Sequence, residues 1–257
     1  MNHAVDPKQN ALLDSLESAG CWPLLANLEA VDLKLGQVLS YPGCICPYVY
    51  FPSTAIISLS YLTEDGACAE VASVGNEGLV GVSVFMGGLS TNCSAEVQFS
   101  GTGHRISAAA LRQAFDQGGP LVQVLLRYTQ TLITQIAQAA ACNRHHQLGS
   151  QLCRWLLHTL DRLHGNELVV TQQLIARALG VRREGVSEAA LKLQRAGLIS
   201  YRRGHITVLD REGLEQQACE CYAVLSKECG RLQPWTMPNQ YRSTHRQEAR
   251  AEATMAA

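Results

Sequence analysis

Residues 179–199, LGVRREGVSEAALKLQRAGLI, decide how the chain is read. Two arginines and a glutamate (Arg182, Arg183, Glu184) follow a Gly-Val pair. Behind them Val186, Ala189, Ala190 and Leu193 recur at helical spacing, so one face is apolar and can rest on a core while the leading turn stays in water. Upstream, Thr171 is a good N-cap for QQLIARAL, where Leu174, Ile175 and Ala178 form the inner face. Ala176 stands where two helices would approach closely. Gly180 supplies the positive φ needed between them, and Val181 plugs the turn. The second helix is expected from about Arg182 to Ala196, closed by Gly197. LISYRRGHITVLD then reads as a two-stranded wing turning near Arg203-Gly204.

A helix laid in the major groove presents its first turns to base edges and flanking phosphates. Arg183 suits a bidentate contact to guanine O6 and N7, and Glu184 suits the cytosine amino group. Arg182, Ser187, Lys192, Arg202 and Arg203 are candidate phosphate contacts, which set register and salt dependence without reading bases. By itself an Arg-Arg-Glu run is more often a solvated helix start, with Glu184 near the positive end of the dipole. The Ala, Gly and Val spacing and the wing favour double-stranded DNA as partner.

Charge distribution agrees. The 257 residues carry a formal net charge of −1, but residues 1–146 hold 6 Lys+Arg against 11 Asp+Glu, whereas residues 147–257 hold 15 against 11. The C-terminal part is the one suited to a polyanion. Hydrophobic residues make up 47% of the chain, which excludes wholesale disorder. The polar start MNHAVDPKQN and the lack of a long apolar run point to a cytoplasmic protein with no membrane partner.

Elsewhere the texture changes twice. Residues 10–35 read as short helical pieces, with Leu12, Leu13 and Leu16 on one face and Gly20 as a stop. From Gly36 to about Ser107, β-prone runs (QVLSY, YVYF, AIISLSYL, ACAEVAS, SAEVQFS, HRIS) alternate with turn signals such as Pro42-Gly43, Asp65-Gly66 and Gly87-Gly88, the pattern of a sandwich or jelly roll. A long helix is expected from about Gly119 to Ala141, with Leu121, Leu125, Tyr128, Leu132, Gln135, Ala139 and Cys142 as a heptad-like seam and Leu126, Ile133 and Ile136 on an adjoining stripe. One face would pack on the barrel and another on a second copy, or the helix would simply fold on its own domain. CNRHH (142–146) reads as a hinge before a second amphipathic helix, QLGSQLCRWLLHTLDRLHG.

The stretch LVVTQQLIARALGVRREGVSEAALKLQRAGLISYRRGHITVLD (168–210) resembles the winged helix of the CRP/FNR superfamily of bacterial transcription regulators. QLCRWLLHTLDRL (151–163) is similar to the helix that precedes it there, and YVYFPSTAIISLSYLTEDGACAEVASVGNEGLVG (48–81) resembles the family's effector β-roll. The resemblance implies an α+β chain. It would comprise an N-terminal jelly-roll-like β-barrel sensor (10–118), a long dimerisation helix (119–142) and a winged helix-turn-helix (143–230); the polar, charged residues 231–257, with Pro234 and Pro238, read from their composition as a mobile tail. It also implies a homodimer, two half-sites about one DNA turn apart, RNA polymerase as a partner and an allosteric signal at the roll. Arg183 and Glu184 match the family's base-reading pair. Glu188 falls where known members often place a base-reading arginine, so their operator is not carried over.

In nucleotide-binding members a Gly-Glu takes the ribose hydroxyl and an Arg-Ser or Arg-Thr takes the cyclic phosphate. Gly81-Val82 and Cys93-Ser94 fall at those places. Valine accepts no hydrogen bond and cysteine does not neutralise a phosphate, so cyclic AMP is not the expected effector. An unknown small-molecule or redox effector is expected instead. Competing readings are a cysteine-based redox sensor, a constitutive DNA-binding protein with a vestigial barrel, and an enzyme with a reactive thiol.

No cofactor or metal site is expected from the spacing of the ten cysteines, which includes no C-x-x-C. Cys44-Ile-Cys46 reads as structural or thiol-sensing, and Cys219, Cys221 and Cys229 as core packing on a last helix. Only Cys21 precedes the β region, too few for an N-terminal iron–sulfur cluster. No hydrolase, zincin, P-loop or dinucleotide motif occurs, so no catalytic residue is assigned.

Overall fold

The computed structural model of the protein describes residues 6–64, 68–163 and 165–232. Asn10 caps helix α1 (Ala11–Ser18). Its Oδ1 accepts the N–H groups of Leu12 and Leu13 at 3.1 and 3.0 Å, and its Nδ2 donates to the carbonyls of Pro52 and Gly78 at 2.7 and 2.9 Å. One buried amide thus fixes the helix to the body, as burial of a polar side chain requires. Leu12, Leu13 and Leu16 point into the core. After α2 (Trp22–Leu25) the chain departs from the expected helical pieces: Glu29–Leu33 is a strand, β1. Its partner decides this, because β1 lies along one edge of β7 (Gly101–Ser107) with Glu29 paired to Arg105 at 2.9 Å.

The expected strands form β2 (Val38–Ser40), β3 (Tyr48–Pro52), β4 (Ile56–Leu62), β5 (Cys68–Val74) and β6 (Cys93–Phe99). They make two antiparallel sheets, ordered β1-β7-β3 and β2-β6-β4-β5. Leu33 from the first and Ile57, Val74, Ala95 and Val97 from the second share one apolar layer. The arrangement is jelly-roll-like, but the sheets do not close into a barrel. The turn expected at Asp65-Gly66 lies outside the described residues, as does the expected tail from residue 233 onward. A short helix α3 (Ser83–Met86) interrupts the roll. An unexpected helix α4 (Ala108–Asp116) follows it, started by Ser107 Oγ accepting from the Ala110 N–H and anchored by Phe115 stacked on Phe85.

The long helix α5 spans Pro120–His145, with Pro120 at its first turn. It runs through most of the expected hinge, so the break before α6 (Leu148–Leu163) is confined to His146-Gln147. Leu121, Leu125, Tyr128 and Leu132 face inward, while Leu126, Ile133 and Ile136 stay exposed. Tyr128 donates to the Leu79 carbonyl at 2.7 Å, and its ring lies so close over Gly78 that a methyl group there would overlap it.

The C-terminal unit contains β8 (Glu167–Val169), α7 (Gln172–Leu179), α8 (Arg183–Arg195), β9 (Ile199–Arg202), β10 (His205–Val208), α9 (Arg211–Gln217) and α10 (Cys221–Leu232). Its sheet is ordered β8-β10-β9, so the expected two-stranded wing has a third strand from before the helix pair. Leu152, Leu156, Leu160, Ile175, Val186, Leu193, Ile206 and Leu214 build its core, which also takes in Ile56 and Phe99 from the roll. α10 packs back along α5. No helix among the described residues is long and apolar enough to cross a membrane.

Candidate nucleic-acid interface

Local chemistry fixes the helix pair. Thr171 Oγ1 accepts the Leu174 N–H at 3.2 Å and starts α7. Gly180 ends it at φ +64°, where a side chain would be strained, and turns the chain into α8. Val186, Ala189, Ala190 and Leu193 are buried beneath α8, which leaves Arg182, Arg183, Glu184, Glu188 and Lys192 exposed. Gly185 faces α6, where its missing side chain leaves room for Leu148.

The leading end of α8 is ordered by a residue that sequence reasoning missed. Gln172 Oε1 accepts from Arg183 Nε at 3.3 Å and lies 2.7 Å from Ser187 Oγ. Ser187 also lies 3.1 Å from the Arg183 carbonyl, so its single proton serves one of these acceptors at a time. Ser187 therefore steadies Arg183 within the protein. Lys192 is paired with Glu188 at 2.8 Å, and its ammonium holds the Glu188 carboxyl below the usual range.

The wing turns at Arg203 (φ +49°) and Gly204 (φ +83°), two left-handed residues that match the twist of a tight hairpin. Arg202 and Arg203 are exposed. Tyr201 anchors this hairpin through its hydroxyl to the Val170 carbonyl at 3.3 Å and through its N–H to Gln194 Oε1 at 3.1 Å. Arg183 and Arg203 border a common open groove with Thr171, Gln172, Gln173, Tyr201 and Gly204. Two cations on two elements around one concavity form a surface for phosphates and base edges.

The four residues singled out in the roll sit on two elements, Gly81-Val82 just before α3 and Cys93-Ser94 at the start of β6. Gly81 (φ +116°) lies against Val49, and Val82 packs with the cluster containing Phe85. Cys93 opens β6 opposite Tyr61, and Ser94 Oγ donates to the Ser40 carbonyl at 3.3 Å. Ser94 does line a cavity of about 490 Å³ between the four-stranded sheet and α7, with Ser58, Ser60, Glu70, Gln98 and Arg177. Burial pushes the Glu70 carboxyl up to about 7, against the hydrogen bonds from Ser58 and Gln98 and the charges of Arg162 and Arg154. Nearby His158 is lowered to about 3 by burial and the same two arginines. Among the thiols, Cys44 is exposed and Cys46 buried, whereas Cys142, Cys219 and Cys221 form a buried cluster that also meets His146.

Residues 150–217 match the Crp-like helix-turn-helix domain. The global nitrogen regulator of Synechococcus elongatus is 26% identical over 219 residues, 81% of this chain and 97% of that protein. Among solved structures, a putative transcriptional regulator of the crp/fnr family from Eubacterium rectale superposes with a TM-score of 0.65 at 19% identity, covering 82% of this chain and 98% of that one. FixK2 from Bradyrhizobium japonicum gives a TM-score of 0.64 at 16% identity, covering 75% and 98%. Residues 150–217 thus carry a Crp-like helix-turn-helix, and the roll, long helix and winged helix together have the fold of these CRP/FNR regulators.

Proposed function

We propose that the protein is a homodimeric regulator that reads DNA with Arg183 and Glu184 and grips phosphates with Arg182, Arg202 and Arg203, working in the cytoplasm with RNA polymerase. Residues 10–118 serve as the sensor, 119–142 as the dimer helix and 143–230 as the reading unit. Lys192, held by Glu188, contributes less, and Ser187 acts by orienting Arg183. The observation that carries the reading is the groove shared by Arg183 of α8 and Arg203 of the wing. The exposed stripe of Leu126, Ile133 and Ile136 supports α5 as the dimer face.

The signal acts on the docking of the winged helix against the roll and is not cyclic AMP, because Val82 and Cys93 lack the chemistry for its ribose and phosphate. A redox signal is the second reading, favoured by the Sγ atoms of Cys142 and Cys219 lying 3.4 Å apart. Selection of bound DNA from a random pool, under reducing and oxidising conditions, tests both readings. Arg183→Ala relaxes preference at one base pair per half-site, at a cost of about 1–3 kcal/mol. Arg203→Ala weakens all sequences alike and lowers the salt slope by about 1. Identical behaviour of the two variants would refute the division of roles.

A further inference from the structure

Read along the chain, Cys142 and His146 belong to a hinge, and Cys219 and Cys221 to the packing of a last helix. In the fold they meet. Cys142 and His146 lie one helical turn apart at the end of α5, and Cys219 and Cys221 flank Glu220 at the start of α10. Their four potential ligand atoms all lie within 4.8 Å of one another. Cys142 Sγ is 3.4 Å from Cys219 Sγ, and Cys221 Sγ is 3.5 Å from His146 Nδ1. Metal–sulfur bonds of about 2.3 Å in a tetrahedron set sulfur atoms about 3.8 Å apart, so this spacing is that of ligands around one ion.

The surroundings match the same chemistry. His146 Nε2 is 3.1 Å from the Glu220 carboxylate, which selects the tautomer that donates there and leaves the Nδ1 lone pair facing Cys221. Gln151 Nε2 donates to the carbonyls of Cys142 and His146 at 3.2 and 2.8 Å and pins the helix end that carries both ligands. The Arg154 guanidinium lies within electrostatic reach of Cys142, Cys219 and Cys221, and its buried Nε has no hydrogen-bond partner among the described residues. Three thiolates and a divalent cation sum to one negative charge, which this guanidinium offsets. Cysteines that merely pack need neither the carboxylate-oriented imidazole nor the nearby cation.

We infer that Cys142, His146, Cys219 and Cys221 form a closed Cys3His site for one thiophilic divalent ion of the zinc class. Four protein ligands leave no open position, so the site is structural. Binding displaces three thiol protons to solvent and forms three metal–sulfur bonds and one metal–nitrogen bond, with no change of oxidation state. The ion ties the last helix of the DNA-binding unit to the long central helix across the His146-Gln147 break.

The test uses the full chain without a histidine tag, isolated anaerobically under reducing conditions. Elemental analysis is expected to find about one zinc per chain. Cobalt exchanged into the site should show the intense visible bands of a tetrahedral thiolate complex, with three sulfur and one nitrogen ligand by X-ray absorption. Cys219→Ser and His146→Ala should each weaken retention roughly tenfold or more, and Glu220→Gln, which keeps all four ligands, about 10–100-fold. Cys93→Ser and Cys153→Ser should retain the full equivalent. If a ligand variant fails to fold by circular dichroism, the cobalt spectrum and ligand count of the unsubstituted protein decide. The inference is overturned by protein that takes up no micromolar cobalt, by a cobalt spectrum unchanged in folded Cys219→Ser, or by a Cys142–Cys219 disulfide in the protein as isolated.

Discussion

Arg162 of α6 holds Glu77 of the roll through its guanidinium fork. Nε lies 3.0 and 3.1 Å from the two carboxylate oxygens, and Nη2 lies 2.7 Å from Oε1. The remaining donors reach Ser73, Nη1 to its hydroxyl at 2.9 Å and Nη2 to its carbonyl at 3.2 Å. The side chains are only 12% and 22% exposed, so the pair is shielded from the screening that makes surface ion pairs weak. It ties the roll to α6, the helix that also carries Trp155 against Phe99 of the roll.

Arg162→Ala leaves a half-buried carboxylate without its cation, at a cost of about 3 kcal/mol to the docked arrangement. Small-angle scattering should show a larger radius of gyration, and operator affinity should lose part of its dependence on the signal. Adding Glu77→Ala should recover part of that loss, because the unpaired carboxylate goes with it. Additive effects of the two substitutions would contradict the pairing.

Ile133→Glu places a charge in the middle of the exposed stripe on α5. Sedimentation equilibrium is expected to show a shift from dimer to monomer, with DNA affinity falling because each half-site is then bound singly. Circular dichroism should be unchanged, since the side chain contributes nothing to the monomer core. A dimer of undiminished strength would place the interface elsewhere.

Tyr128→Phe removes one buried hydrogen bond to Leu79 and should cost about 1 kcal/mol. Gly78→Ala forces a methyl group into the same ring and should cost about 1–3 kcal/mol. Urea denaturation measures both. A larger loss for Tyr128→Phe than for Gly78→Ala would show that the hydroxyl, not the close approach, governs the contact.

Glu70 sets a pH dependence. Its carboxyl is raised from the ordinary 4.5 to about 7 in the folded protein. The folded state therefore binds more protons than the unfolded chain between these values, and stability from this group is lost as pH rises through that window. Buried His158, lowered to about 3, has the opposite slope below its ordinary 6.5, so the whole protein blurs the effect. Comparison with Glu70→Gln isolates it. The variant should gain on the parent between pH 5 and pH 8 by about 2 kcal/mol. Parallel stability curves would mean that Glu70 stays ionised throughout.

The winged helix was the most legible part of the chain because its signals are local. Thr171 as cap, Gly180 at positive φ and the buried Val186–Leu193 face each depend on neighbours within two turns. The roll strands were legible from their turn residues, but β1 was not, since five residues with weak alternation become a strand only beside β7. Helix α4 was hidden because its apolar anchor Phe115 finds its partner, Phe85, in the short helix α3, distant in sequence. On α5 the regular seam left open a partner helix or the chain's own domain; its Leu121, Leu125, Tyr128 and Leu132 pack within the chain, and the weaker stripe is the exposed one. Gln172 looked like an ordinary polar helix residue until the turn brought it to Arg183. The Cys3His cluster was illegible because its two halves stand 77 residues apart and neither half has the usual metal-binding spacing.

Strand β10 lies between β8, which leads into α7, and β9, which follows α8. The hairpin tip bearing Arg203 is therefore no free finger. Pulling on it drags the strand that feeds the first helix, and through the capped turn it drags the second helix as well. If Arg203 takes a phosphate and Arg183 a base edge, as proposed, the two contacts move as one stroke of a rigid tool, and the angle at which α6 presents that tool sets where both points land.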